Sequence, residues 1–314
     1  MGDAARGFHE KVPMPTPPPT LRATSPASRR RTGVALVGLA VAACSPPPLT
    51  RDAAMVEIPG ARVQIGDDAA PRDERPQFTA DIAAFRMDRS PVTVAQFAAF
   101  IAKTSYVSEA EKFGGAGVLS KGDGAWLMVE GASWQHPRGP DKPAAEDDHP
   151  VTQVSWNDAV AYCGAHGLRL PTEFEWERAA QMGQTPDGTV FRSGTATSFD
   201  AKFRLNAWQG VFPVMDTGED GYLGTSPVGA FGAAPSGLTD MAGNVWEWTS
   251  SAYLSYPVAP GDTRTMNERV QRGGSFLCSD GVCEGFRATA RAHATPDSSL
   301  MHVGFRCAAD RGAG

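Results

Sequence analysis

The chain carries 34 glycines and 25 prolines among its 314 residues, and they interrupt most periodic patterns along the body. Proline removes a backbone donor and ends helices, and glycine weakens helix and strand interiors. A bundle of long helices is disfavoured, and a loop-rich α+β body of short elements is expected. The length is enough for a sizeable core. The net charge is −6, and no long basic run occurs beyond the N-terminus, so nucleic acid is not an expected partner.

The first fifty residues have a different character. Residues 1–28 are rich in Pro, Ser, Thr and Ala without apolar periodicity, the composition of a disordered segment. Arg29, Arg30 and Arg31 then precede an apolar run, Val34 to Ala43, too short to span a bilayer. It ends in Val41-Ala42-Ala43-Cys44, which resembles a bacterial lipoprotein signal in which Cys44 is lipidated. A simple signal peptide with an incidental cysteine is the plainer alternative. The arginines suggest export in a folded state, and Pro46 to Pro48 form a stiff tether. Residues 1–50 are therefore assigned to a leader and tether, and residues 51–314 to the folded domain. The expected location is a bacterial envelope, membrane-anchored, or the cytoplasm if the signal is unused.

Within the body, MVEIPGARVQIG reads as a strand pair turning at Pro59-Gly60. A helix follows a capping box at Thr93 and Gln96, with Val94, Phe97, Ala98 and Ile101 on one face. Residues 114–149 form a long irregular excursion whose Trp126 and Trp134 favour order. A second helix starts at Ser155 and faces inward through Trp156, Ala159, Val160 and Cys163. A third starts at a box of Thr172 and Glu175 and buries Trp176, Ala179 and Ala180. Beyond it only short strands and ordered loops are expected.

The chemistry-bearing residues are few. Six histidines give no HExxH, no C-x₂-C pair occurs, Ser275 lacks a hydrolase elbow, and no P-loop or Rossmann fingerprint appears. Acidic and amide oxygens cluster around Asn206, Asp216, Glu219 and Asp220, and again at Asp240, Asn244 and Glu247. By spacing alone these are solvated turns before they are calcium loops. Cys278 and Cys283 stand four residues apart. A disulfide is the first reading of that spacing and a pair of thiolates for a soft ion such as Cu(I) the second. A redox couple of the C-x-x-C type is disfavoured.

Longer motifs reorder these readings. PVTQVSWNDAVAYC (150–163), RLPTEFEWERAA (169–180), NAWQGVFPVMDTGEDGYLGTSPV (206–228), GLTDMAGNVWEWTS (237–250), RVQRGGSFLC (269–278), ATPDSS (294–299) and GFRCAAD (304–310) resemble the formylglycine-generating enzyme family, the sulfatase-modifying factors. The resemblance implies an irregular α+β fold related to C-type lectin-like domains. It implies oxidation, with O₂, of a cysteine in a sulfatase C-x-P-x-R segment to Cα-formylglycine. Carried onto this sequence, it gives Cu(I) to Cys278 and Cys283. One calcium falls to Asn206, Ala207, Asp220 and Tyr222, and a second to Asp240, Gly243, Val245 and Glu247. Cys163 pairs with Cys307 in a disulfide, which leaves Cys44 as the lipid anchor. Ser275 serves the reacting centre, Trp246 walls it, and Arg291 and His302 face the substrate.

The implied partners are an unfolded sulfatase polypeptide and O₂, and the enzyme is expected to be a monomer. The sequence departs from the animal enzymes at Ser279-Asp280-Gly281-Val282 and at Glu284-Gly285. It departs again at His302, where those enzymes have asparagine, and at Ala180 and Ala288, where a second family disulfide is absent. Two rivals stand beside the oxidase: a non-catalytic envelope lipoprotein of the same fold acting as scaffold or binding module, and a thiol–disulfide enzyme using Cys278 and Cys283 directly.

Overall fold

Pro59 and Gly60 decide how the folded chain begins. The computed structural model describes residue 49 and residues 53–192, 203–257, 267–279 and 282–312. The leader with Cys44, Pro46 to Pro48, and the pair Asp280 and Gly281 lie outside the described residues. Strands β1 (Met55–Ile58) and β2 (Ala61–Ile65) flank the Pro-Gly corner but do not form the expected hairpin. β2 pairs with β3 (Phe78–Ile82), and β1 with β4 (Phe85–Asp88), both antiparallel. The reason is conformational. Two-residue hairpin loops favour turns with positive φ at their first position, which proline cannot adopt.

The helices start where their caps lie. α1 (Val94–Thr104) has both halves of the Thr93–Gln96 capping box and buries Val94, Phe97 and Phe100. A short α2 (Glu109–Phe113) begins at a second box, Ser108 and Glu111, inside the stretch expected to be irregular. That stretch also holds the antiparallel hairpin β5 (Gly115–Leu119) and β6 (Trp126–Glu130). α3 (Trp156–Ala165) starts at Ser155 but is rotated from the expected face: Tyr162 is fully buried and Val160 is exposed. Tyr162 is drawn inward by an aromatic cluster with Phe97, Phe100 and Phe305. α4 (Glu173–Ala180) buries Trp176, Ala179 and Ala180 as expected, together with Glu173 and Glu177.

Among the described residues no helix follows α4. A small hairpin joins β7 (Gly210–Val211) to β8 (Met215–Asp216). A four-stranded sheet follows, formed by β9 (Trp246–Ala252), β10 (Arg269–Arg272), β11 (Ala292–Ala294) and β12 (Val303–Phe305) in the order β11-β10-β9-β12. β12 runs parallel to β9. The final strand, β13 (Ala308–Asp310), returns to β4 to complete the sheet β1-β4-β13. The main core gathers Phe97, Tyr162, Trp248 and Phe305 and reaches Trp246, Cys278 and Phe286. A second cluster packs Trp176 and Ala180 with Phe85 and Ala288, so the two alanines fill core space together.

Cys163 on α3 is joined to Cys307, between β12 and β13, by the disulfide that the resemblance implied. The bond spans 144 residues and both cysteines are fully buried. In the chain-entropy picture a loop of that length is worth about 3–5 kcal/mol. The double variant Cys163→Ala/Cys307→Ala should lose about that much stability, read as a lower urea midpoint with a steeper slope, because the denatured chain expands once the cross-link is gone.

Candidate active site

The site is assembled by a turn that only glycine allows. After β10 the chain passes Gly273 and Gly274, both at positive φ. A Cβ on Gly274 would lie 2.6 Å from the carbonyl carbon of Gly285 and from the nitrogen of Phe286. The turn thus lays residues 274–278 against residues 285–286. The Phe276 N–H donates to Asn244 O (3.0 Å), and the Trp208 N–H to Cys278 O (2.9 Å). Ser275, fully buried, accepts the Leu277 N–H at Oγ (3.2 Å) and the Cys278 N–H at its carbonyl (2.9 Å).

Cys278 is buried, Cys283 is half-buried, and the two are joined as a disulfide. The two sulfurs therefore share one site, as both leading readings of the spacing require. Trp246, buried at the start of β9, forms a wall. A Cβ on Gly285 would lie 2.4 Å from Trp246 Cζ2 and 3.0 Å from Cys278 Sγ, so indole and sulfur close on the same glycine. The Trp246 N–H donates to His302 O (2.9 Å). The His302 ring packs on Trp126 (centroids 4.9 Å apart), and its Nδ1 is buried without a hydrogen-bond partner. Desolvation pushes the His302 pKa down to about 3, so the ring is neutral at physiological pH.

Arg291 takes a different role from the substrate contact expected of it. Its side chain is buried and paired with Glu173 (Nε–Oε1 2.6 Å). It also donates to Asp73 O (2.8 Å) and Leu254 O (3.0 Å) and packs on Tyr253 and Tyr256. A guanidinium so committed holds the fold together rather than a peptide.

A two-sulfur donor set fits Cu(I) once the disulfide is reduced, because the soft ion accepts two thiolates. The first oxygen set fits calcium. Asn206 Nδ2 donates to Gly224 O (2.8 Å), Asp220 accepts from the Ala207 and Tyr222 N–H groups, and Gln209 Nε2 lies against Ala207 O. Desolvation raises the Asp220 pKa, and no salt bridge reaches it among the described residues. A cation would relieve both conditions. The second set is less free. Both Glu247 oxygens are held by Arg306 (2.6 and 2.7 Å), and Oε2 also accepts from Trp176 Nε1 (2.7 Å). With Asp240 accepting from Gly229 and Asn244, that set offers a single carboxylate not already paired with a cation, alongside the carbonyls of Gly243 and Val245.

A cleft of about 480 Å³ opens beside the site. Its walls include Phe276 and Met301, close in sequence to Cys278 and His302, along with Arg138, His149, Tyr222 and Leu223; neither cysteine lines it. No sequence motif pointed to this cleft, which the excursion 134–150 and the loop at 221–227 build between them.

Residues 41–311 match the family described as the sulfatase-modifying factor enzyme 1-like domain. The chain belongs to this family. It is 43% identical over 284 residues to a protein named formylglycine-generating enzyme from Thermomonospora curvata, covering 82% of this chain and 93% of that one. Its likeness to the protein of that name from Bos taurus is 42% over 280 residues, 82% and 74% of the two chains. A Bos taurus protein named inactive C-alpha-formylglycine-generating enzyme 2 is 40% identical over 279 residues, 82% and 88% of the two chains. Among solved structures, PvdO from Pseudomonas aeruginosa shares the fold, with a TM-score of 0.60 at 24% identity over 82% of this chain and 94% of that one. Relatives named formylglycine-generating enzyme and a relative named inactive thus differ by only a few per cent in identity to this chain, and the site residues must discriminate between them.

Two outcomes test this geometry. Gly285→Ala should displace Trp246 from Cys278, seen as a shifted tryptophan emission and a loss of stability of about 1–3 kcal/mol. The second concerns His302. Its folded pKa of about 3 lies below the ordinary 6.5, so between these values the unfolded chain binds more protons and stability rises with pH. Stability should fall as pH drops through that window, and the fall should be shallower in His302→Asn, read from urea midpoints.

Proposed function

We propose that the chain is a copper- and O₂-dependent formylglycine-generating oxidase that converts the cysteine of a sulfatase C-x-P-x-R segment to Cα-formylglycine. The observation that carries this reading is the pair Cys278–Cys283 beneath Trp246, in a chain more than 40% identical to relatives that carry the enzyme's name. Cys278 and Cys283, reduced, would hold Cu(I), which when bound supplies an acceptor for a further thiolate and electrons for O₂.

The remaining chemistry falls to this chain's side chains. Cys278 is fixed in the core, while Cys283 reaches toward solvent, so the open side of the pair lies by Cys283. Trp246, buried beside Cys278, would keep water from the reacting sulfur. Ser275 receives the Leu277 N–H on its oxygen, which leaves its hydroxyl hydrogen to donate beside the pair. His302 is neutral, and with Nδ1 buried it has Nε2 as the nitrogen left to meet a peptide. The set Asn206, Ala207, Asp220 and Tyr222 would hold calcium and brace the loop beneath Trp208. The leader, with Arg29 to Arg31 and Cys44, supports an exported, lipid-anchored enzyme.

The relative named inactive favours the second reading, a non-catalytic module of the same fold. One assay separates the two. The reduced protein, loaded with Cu(I), is incubated with a C-x-P-x-R peptide under O₂ and the aldehyde is trapped and weighed. Aldehyde should form, and should fall to background without copper or in Cys278→Ser. A wild-type protein that binds Cu(I) through both cysteines yet yields no aldehyde is the module instead.

A further inference from the structure

We propose that the free edge of β6 takes up an extended stretch of the substrate polypeptide as an added strand, beside the reacting cysteine. The identity of that polypeptide rests on the function proposed above; the edge itself rests on geometry. Among the described residues β6 pairs with β5 alone. The Gly117 N–H donates to Ser299 O (2.9 Å), and Gly117 O accepts from the Met301 N–H (3.1 Å) and Gln153 Nε2 (3.0 Å). Gly117 therefore turns its polar groups away from β6, and its partner Met128 sits in a non-hydrogen-bonded pair. Antiparallel alternation then directs the N–H and C=O of Met128 outward, with those of Trp126 and Glu130 on the same side.

This edge is unprotected. Trp126, Leu127 and Met128 are 40%, 50% and 69% exposed, and no proline or lysine interrupts the strand. Such edges are templates for pairing, and proteins ordinarily blunt them. The apolar surface continues onto the β7–β8 hairpin, where Val211, Val214 and Met215 are exposed and Pro213 O accepts the Gly122 N–H (3.1 Å).

The occupant follows from position. The Trp126 ring lies on His302, the His302 carbonyl holds the Trp246 N–H, and Trp246 lies against Cys278. The strand thus begins at the wall of the cysteine site. Strand addition draws affinity from the backbone and only preference from side chains. It therefore fits an unfolded partner that is extended, apolar in places, and constant only around its cysteine. Proline fits an added strand only where its nitrogen faces away from β6, so uninterrupted pairing is placed in the flank of the C-x-P-x-R core.

Three peptides test this against the full protein: the C-x-P-x-R core, the core with a flank of alternating apolar residues, and the flanked peptide N-methylated at alternate flank positions. Hydrogen exchange at Met128 should slow with the flanked peptide only. Two lost backbone bonds correspond to about tenfold, so kcat/KM for the flanked peptide should exceed that for the core by about this factor. The advantage should vanish in Met128→Pro, which an edge strand tolerates, and persist in Met128→Leu. Equal aldehyde formation from all three peptides overturns the proposal and leaves the oxidase standing. Slowed exchange without aldehyde supports the edge and removes the oxidase. Exchange that slows with protein concentration alone, or with lipid vesicles and not with peptide, assigns the edge to a second copy or a membrane and overturns the proposal.

Discussion

The contact on which the structure turns is the buried ion pair between Glu247 and Arg306, both with fully buried side chains. Arg306 meets the carboxylate through Nε and Nη2 and also donates to the carbonyls of Asp88, Arg89, Thr239 and Asp240. Trp176 of α4 adds its indole N–H to the same carboxylate. One pair thereby ties the end of β4, the loop at 239–240, β9, α4 and the link between β12 and β13. Removing either partner would strand a buried charge, at a cost of roughly 3–5 kcal/mol. Trp246 precedes Glu247 and Cys307 follows Arg306, so the site wall and the long disulfide hang from this contact.

The pattern recurs because the fold demands it. A loop-rich body has many buried carbonyls outside helices and ladders, and each needs a donor. Arginine brings five donors in a planar fork, at the price of a buried charge that a carboxylate must neutralise. Arg272 donates to the carbonyls of Ala288, Thr289 and Ala290 and is paired with Glu177. Arg291 donates to those of Asp73 and Leu254 and is paired with Glu173. Arg287 and Glu74 form a further buried pair, with Thr289 donating to the same carboxylate. Glu173 and Glu177 lie one turn apart on α4, which explains why a helix so rich in glutamate faces inward.

Those carboxylates mark the limit of what could be read from sequence. Local signals were legible: the caps at Thr93, Ser155 and Thr172 each start a helix, since a cap is decided within four residues. The same signal at Ser108 and Glu111 was available for α2 and lay in a stretch dominated by glycine and aspartate. Long-range pairing was not legible. Nothing in MVEIPGARVQIG says that β1 seeks β4, or that Tyr162 displaces Val160 from the face of α3. The cysteine pair stood out by its spacing, but its role, like those of Trp246 and Ser275, came only from the family motif. Their convergence depends on Gly274 and Gly285, whose missing side chains are read as turn residues until the two segments are seen in contact. Arg291 was misread for a related reason: an arginine's partner can lie more than a hundred residues away, as Glu173 does.

The site combines two mechanical properties that the same sequence supplies. Beneath it, Cys278 is fastened through Ser275, Phe276 and Trp208 to loops that the buried arginines hold. Above it, Cys283 stands half-exposed, and among the described residues β6 presents an edge without a partner. A reaction on a folded protein would call for a shaped surface to match another surface. A reaction on an unfolded chain calls for a fixed pair of sulfurs and a backbone-reading edge, because the substrate brings little shape of its own. Exposed Trp126, Leu127 and Met128 on such an edge would be an aggregation hazard without a partner, and the extended chain proposed as substrate would be one.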